Sequence, residues 1–251
     1  MLALACAAAC PAEIYSAKVL RVDGGMMVFQ ANGTELQAQI EPKTHFWRRR
    51  AQVDGFKFKE GDEVTVNVRT NEKGTYLREV TDAESTRWLG FIRKGIMLGT
   101  LRGGDKDGIF IEFADGSRYK YRLTEKAAIL IGGKTAKTAD LKQGMPVFIK
   151  GRTTSTLDTS VATLSDSPLR TEPPKNDDPA PIVGQVIQFD EDKRVLTLKN
   201  GDQETRIVLD KTSQGDVAKL AGNPLIWLVV ERTDSGLLRA VEFHTISSPK
   251  R

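Results

Sequence analysis

Along most of the chain apolar and polar residues alternate with period two, in short runs cut by Gly, Asn and Asp. Such runs predict strands with one face buried and the other in water. Three stretches carry the pattern in the same order: AKVLRVDGGMMVFQANGTELQAQI at 17–40, LGTLRGGDKDGIFIEFADGSRYKYRL at 98–123 and VGQVIQFDEDKRVLTLKNGDQETRIVL at 183–209. Each opens with a strand and later crosses Asn32-Gly33, Asp115-Gly116 or Asn200-Gly201. These pairs suit two-residue hairpins, in which both central residues take positive φ. The turn glycines lie 83 and 85 residues apart, which marks a repeated unit.

A second landmark is a glycine followed at +3, +5 and +7 by residues suited to an inward face. It reads Gly61 with Val64, Val66 and Val68, then Gly144 with Val147, Ile149 and Gly151. The third copy reads Gly222 with Leu225, Trp227 and Val229. Phe58 and Leu141 stand three residues before their glycines, whereas the third copy has Lys219 there and Leu220 slipped by one. Each unit closes with a short strand at 75–82, 159–166 or 236–244. About five strands per unit, with an irregular segment between the third and fourth, predict an all-β chain of three tandem five-stranded OB-like small barrels.

The expected boundaries are barrel one at 13–81, barrel two at 96–166 and barrel three at 182–247. Between the first two, Trp88, Phe91 and Ile92 stand at i, i+3 and i+4, which predicts a short helix within 82–95 capped by Asp82 or Ser85 and wedged between the barrels. Between the second and third, residues 167–181 form a Pro-rich linker. Five of the ten prolines fall at 168–181, so an extended, semi-rigid spacer is expected, from which barrel three swings or docks separately.

The repeated pattern resembles a family of small bacterial domains of unknown function, OB-like in fold, typically secreted and repeated in tandem. The resemblance rests on a G-x-V opening strand, a D/N-G hairpin, then L-x-x-G-x-x-V-x-V and a closing strand. Gly99 or Gly184 matches the opening, and Leu141 with Gly144 the later segment. Ala17 or Lys18 replaces the opening glycine in the first copy, and the third copy has lost the leucine register. The resemblance implies a fold and a compartment but no ligand.

The opening run MLALACAAACPAEI holds both cysteines, Cys6 and Cys10, so no disulfide framework spans the folded part. Residues 1–12 read as a signal-peptide remnant or a disordered N-terminus. Ala7-Ala8-Ala9-Cys10 also resembles a lipoprotein processing site, which makes Cys10 a candidate lipid anchor. The expected location is extracytoplasmic: periplasmic, secreted or associated with the cell envelope. No other apolar run approaches the roughly 20 residues of a membrane span.

Signals for chemistry are sparse. His45, expected in a loop, and His244, at the end of the last strand, read as rim residues, and no G-x-S-x-G accompanies them. Neither a zinc-ligand spacing nor a calcium loop occurs, so no metal or cofactor is expected. The acidic clusters 105–107, 176–178 and 190–192 fall at predicted turns or in the linker, and Gly24-Gly25, Gly103-Gly104 and Gly132-Gly133 read as turns.

One segment stands apart. Residues 43–59 carry Lys43, Arg48, Arg49, Arg50, Lys57 and Lys59 against Asp54, with Phe46, Trp47, Phe56 and Phe58 interleaved. Cations beside aromatics stack bases and neutralise phosphates in OB-type single-strand binding. The candidate ligand-binding residues are therefore Trp47, Arg48, Arg49, Arg50, Lys57 and Lys59. With a net charge of +4, the first reading is a non-catalytic binding or scaffold protein whose partner is a protein or an anionic polymer at the cell envelope. The alternative is an OB-type single-stranded nucleic-acid-binding protein that uses this segment.

Overall fold

A computed structural model describes residues 12–154, 157–169, 174 and 178–246. The opening cysteines and much of the Pro-rich linker lie outside the described residues. The chain divides into two compact units, Met1–Leu89 and Gly90–Arg251.

The first unit contains β1 (Ala12–Asp23), β2 (Met26–Ala31), β3 (Thr34–Gln39), β4 (His45–Arg48), β5 (Ala51–Gln52), β6 (Glu63–Asn71) and β7 (Gly74–Thr81). Strands run in the order β3-β2-β1-β6-β7, and the parallel pair Gln39 with Tyr76 returns β7 to β3, closing a five-stranded barrel. Period-two alternation sends Val19, Met27, Phe29, Val64, Val66, Val68, Leu77 and Val80 into one core. The segment between the third and fourth barrel strands is not irregular. It forms the hairpin β4–β5, which extends the sheet from β7, so His45 sits in a strand opposite Glu79 rather than in a loop.

Helix α1 (Ala83–Lys94) follows. The Asp82 carboxylate accepts a hydrogen bond from the Ser85 amide at 2.8 Å, so Asp82 is the N-cap. In the first unit Trp88 packs on Trp47, with ring centroids 5.7 Å apart.

The second unit begins within α1. Its strands are β8 (Ile96–Asp105), β9 (Gly108–Phe113), β10 (Arg118–Arg122), β11 (Ala128–Ile131), β12 (Lys134–Thr135), β13 (Pro146–Thr153) and β14 (Thr159–Ser165), then β15 (Ala180–Asp190), β16 (Val195–Asn200), β17 (Gln203–Val208), β18 (Leu225–Arg232) and β19 (Leu238–Ile246). Barrel two closes through the parallel pair Arg122 with Ser160. Barrel three closes in the order β15-β16-β17-β19-β18 through Val208 with Arg239. Among the described residues the architecture is three tandem five-stranded OB-like barrels and one short α-helix.

Three sequence expectations shift. Gly103 and Gly104 lie inside β8, where the first strand of each barrel carries one bulged residue: Leu20, Arg102 and Ile187. Among the Asn-Gly and Asp-Gly turns, only Asn32 joins its glycine at positive φ. In the third copy Asn200 ends β16 and Gly201-Asp202 form the turn; the buried Asn200 side chain donates to the Val183 carbonyl at 2.6 Å. The third landmark is Asn223 rather than Gly222. The backbones of Val19, Leu101 and Val186 pair with residues 61–62, 144–145 and Pro224, which aligns Asn223 with Gly61 and Gly144. From Asn223, the +3, +5 and +7 residues are Ile226, Leu228 and Val230, all in the barrel-three core, and Leu220 stands at −3. Trp227 and Val229 therefore face outward.

Those two residues are nonetheless buried, because barrel two covers them within the second unit. Phe91 meets Trp227 edge-on at 6.0 Å, and β8 neighbours both β15 and β18. Barrel three is docked on barrel two. Gly151, expected to face a barrel core, instead admits the Ile92 carbonyl of α1, which any Cβ would strike.

Candidate functional site

The hairpin β4–β5 turns through Arg49-Arg50, both left-handed at φ 52° and 63°. That conformation is costly for residues with a Cβ, and the start of α1 holds it. The Arg49 amide donates to Asp82 Oδ2 at 2.8 Å and the Arg50 amide to Ser85 Oγ at 3.0 Å. Arg50 Nε pairs with Glu84 at 2.9 Å, and its side chain is mostly covered. Trp47 is buried against Trp88. Arg48 pairs with Asp62 at 2.8 Å, donates to the Lys57 carbonyl and lies 5.6 Å from the centroid of the Phe58 ring. The side chains of Arg49, Lys57 and Lys59 are exposed. Phe56 between them is 69% exposed, while Phe46 and Phe58 are core. The segment thus supplies a barrel-end structure built on Trp47, Arg48 and Arg50, and an outer lip of Arg49, Phe56, Lys57 and Lys59.

A second cation–aromatic group lies on barrel two, where the sequence reading placed no site. In β9, Ile109, Ile111 and Phe113 are buried, so the alternation turns Phe110 outward, 39% exposed. Lys120 is its cross-strand partner on β10, and its ammonium lies 5.3 Å from the Phe110 ring centroid. On the other side Phe110 pairs with Gly103, which has no side chain to cover the ring.

Arg102, Arg118 and Arg122 surround the pair, and three carboxylates hold the cations in place. Glu112 accepts from Arg102 and from Arg118, each at 2.6 Å. Asp105 accepts from Lys120 at 2.7 Å, and Asp158 lies 3.6 Å from Arg122. Hydrogen bonds from Arg102 and then Arg118 lower the Glu112 pKa, and the bond from Lys120 lowers that of Asp105. Both acids therefore stay ionised at neutral pH. Four cations against three carboxylates around an open ring make a shallow, mildly positive platform, able to stack a flat group and meet an anion beside it.

The same register position is Val28 opposite Gln37 in barrel one and Thr197 opposite Arg206 in barrel three. Neither offers a ring. The sequence signal for Phe110 was present, since an aromatic between two inward isoleucines of an alternating strand must point out.

A scan of protein-family models finds no match for this chain, and no curated protein matches it. Among solved structures, it is similar to a Drosophila protein described as Unr CSD456, at 11% identity and a TM-score of 0.25, over 95% of this chain and 99% of that one. It is also similar to a Streptococcus pneumoniae multidomain protein described as having nucleic acid binding domains, at 11% identity and a TM-score of 0.28. That match spans 91% of this chain and 72% of the other. At these values the likeness carries no argument about function.

Proposed function

We propose that this chain is a non-catalytic binding protein that holds single-stranded nucleic acid on the outer face of barrel two. The observation that carries the proposal is Phe110, an aromatic ring exposed in mid-strand with a lysine ammonium beside it and three arginines around it. Bases offer a flat face to such a ring regardless of sequence, while the adjacent phosphates compete for Arg102, Arg118, Lys120 and Arg122. The lip of Arg49, Phe56, Lys57 and Lys59 on barrel one is a second patch of the same chemistry.

The test is fluorescence anisotropy with a labelled single-stranded oligothymidylate and an oligouridylate, titrated with the full chain at several salt concentrations. Binding should weaken as salt rises, and Phe110→Ala should weaken it roughly 5- to 150-fold, corresponding to the loss of about 1–3 kcal/mol of stacking. Lys120→Gln should lower the salt slope. An affinity that ignores Phe110→Ala would sink the platform. Selective binding of an acidic polysaccharide with no oligonucleotide binding would instead return the reading to an envelope polymer. The extracytoplasmic location is a separate proposal that rests on the residues of the opening run; the mass, N-terminus and cell fraction of the mature chain check it, and an intact Met1 in the cytoplasm would overturn it.

A further inference from the structure

We propose that Asp115, Glu242 and His244 form a divalent-cation site, of the zinc class, that clasps barrel three to barrel two. Glu242 and His244 stand two residues apart on β19, with the core residue Phe243 between them, so both project from the outer face of barrel three. Asp115 sits in the β9–β10 turn of barrel two. One ligand atom from each of the three side chains lies within 4.8 Å of the others. Ligand atoms on a tetrahedral zinc with bonds of about 2.0–2.2 Å stand about 3.3–3.6 Å apart, so the three atoms need to shift by about an ångström to take the ion.

The three groups are held before any ion arrives. Asp115 Oδ1 accepts from the Ser117 amide at 2.9 Å and from Ser117 Oγ at 2.6 Å. The His244 ring stacks on Trp227, with centroids 5.8 Å apart and planes inclined by 30°. His244 Nε2 lies 2.6 Å from Glu242 Oε1. The decisive observation is burial. The Glu242 side chain is only 9% exposed although its strand position faces away from its own barrel core. It is nine-tenths covered and already pairs with the His244 imidazole, and Asp115 of the facing barrel brings a second carboxylate to the same place. One imidazole and two carboxylates match zinc, with a fourth position left for water; the Ser117 and Trp227 contacts orient two of the ligands, and the contact between Nε2 and Oε1 is the one a bound ion replaces.

The test uses the full chain with Cys6→Ser and Cys10→Ser, so that thiols contribute nothing, stripped by chelator and titrated calorimetrically with zinc chloride. One zinc per chain is expected, with Asp115→Asn and His244→Ala each binding at least tenfold more weakly. Zinc should raise the melting temperature of the parent and not of these variants. Should His244→Ala fail to fold, Asp115→Asn, a near-isosteric change at an exposed turn, carries the test alone. Absence of uptake by the parent, uptake equal in parent and Asp115→Asn, or a preference for calcium or magnesium over zinc would each overturn the proposal.

Discussion

Asn223 does at the start of β18 what Gly61 and Gly144 do before their strands. All three take positive φ, at 53°, 90° and 86°. Asparagine tolerates this region and β-branched residues do not. Asn223→Gly should therefore leave stability nearly unchanged, while Asn223→Val should cost about 1–2 kcal/mol, read as a shift in the urea midpoint at constant slope. Phe110 shows the opposite separation of stability and function. It packs nothing inward, so Phe110→Ala should stay within about 0.5 kcal/mol of the parent while binding weakens. Phe58→Ala, which opens the barrel-one core, should cost about 3–5 kcal/mol.

Among elements, the loop between β17 and the 3₁₀ turn at Val217–Leu220 is tied down by one carboxylate. Asp210 accepts from the Thr212 hydroxyl at 2.6 Å and amide at 2.7 Å, and pairs with Arg239 at 3.0 Å. The Thr212 hydroxyl bond is the leading cause that lowers its pKa to about 2 from an ordinary 3.8. A carboxylate with a depressed folded pKa contributes stability above its unfolded value, and loses it as pH falls through the folded one. Barrel three should therefore lose stability between pH 4 and 2 more steeply in the parent than in Asp210→Asn, as followed by thermal melts. Helix α1 offers a second check at this scale. Asp82→Ala removes the cap and also the acceptor for the Arg49 amide, so it should cost about 1–2 kcal/mol and loosen the Arg49-Arg50 turn.

At the scale of the whole molecule, the second unit is a pair of barrels joined through Trp227. Its indole is buried between Phe91 and His244 although it points out of its own barrel. Trp227→Ala should cost roughly 3–5 kcal/mol and let barrel three unfold separately from barrel two. Hydrogen exchange would then show β15–β19 opening at lower free energy than β8–β14, whereas a single cooperative transition in the variant would mean the docking lies elsewhere.

Alternation along the strands, the repeated turn glycines and the helix signal around Trp88 were sufficient for three tandem barrels with a capped helix, because period and turn chemistry are local properties written in neighbouring residues. The same logic reaches Phe110, whose outward direction follows from Ile109 and Ile111. Other features depend on what covers a side chain, and the chain order does not carry that. Trp47, Arg48 and Arg50 read as a binding cluster, yet α1, Asp62 and the Phe58 ring engage them inside the first unit. The slipped register of barrel three was resolved by a backbone hydrogen bond between Val186 and Pro224. Asp115 and the pair Glu242 and His244 stand more than a hundred residues apart, so no motif spacing could join them. Only the docking of barrel three on barrel two, driven by burial of Trp227 and Val229, brings those side chains within reach of one another.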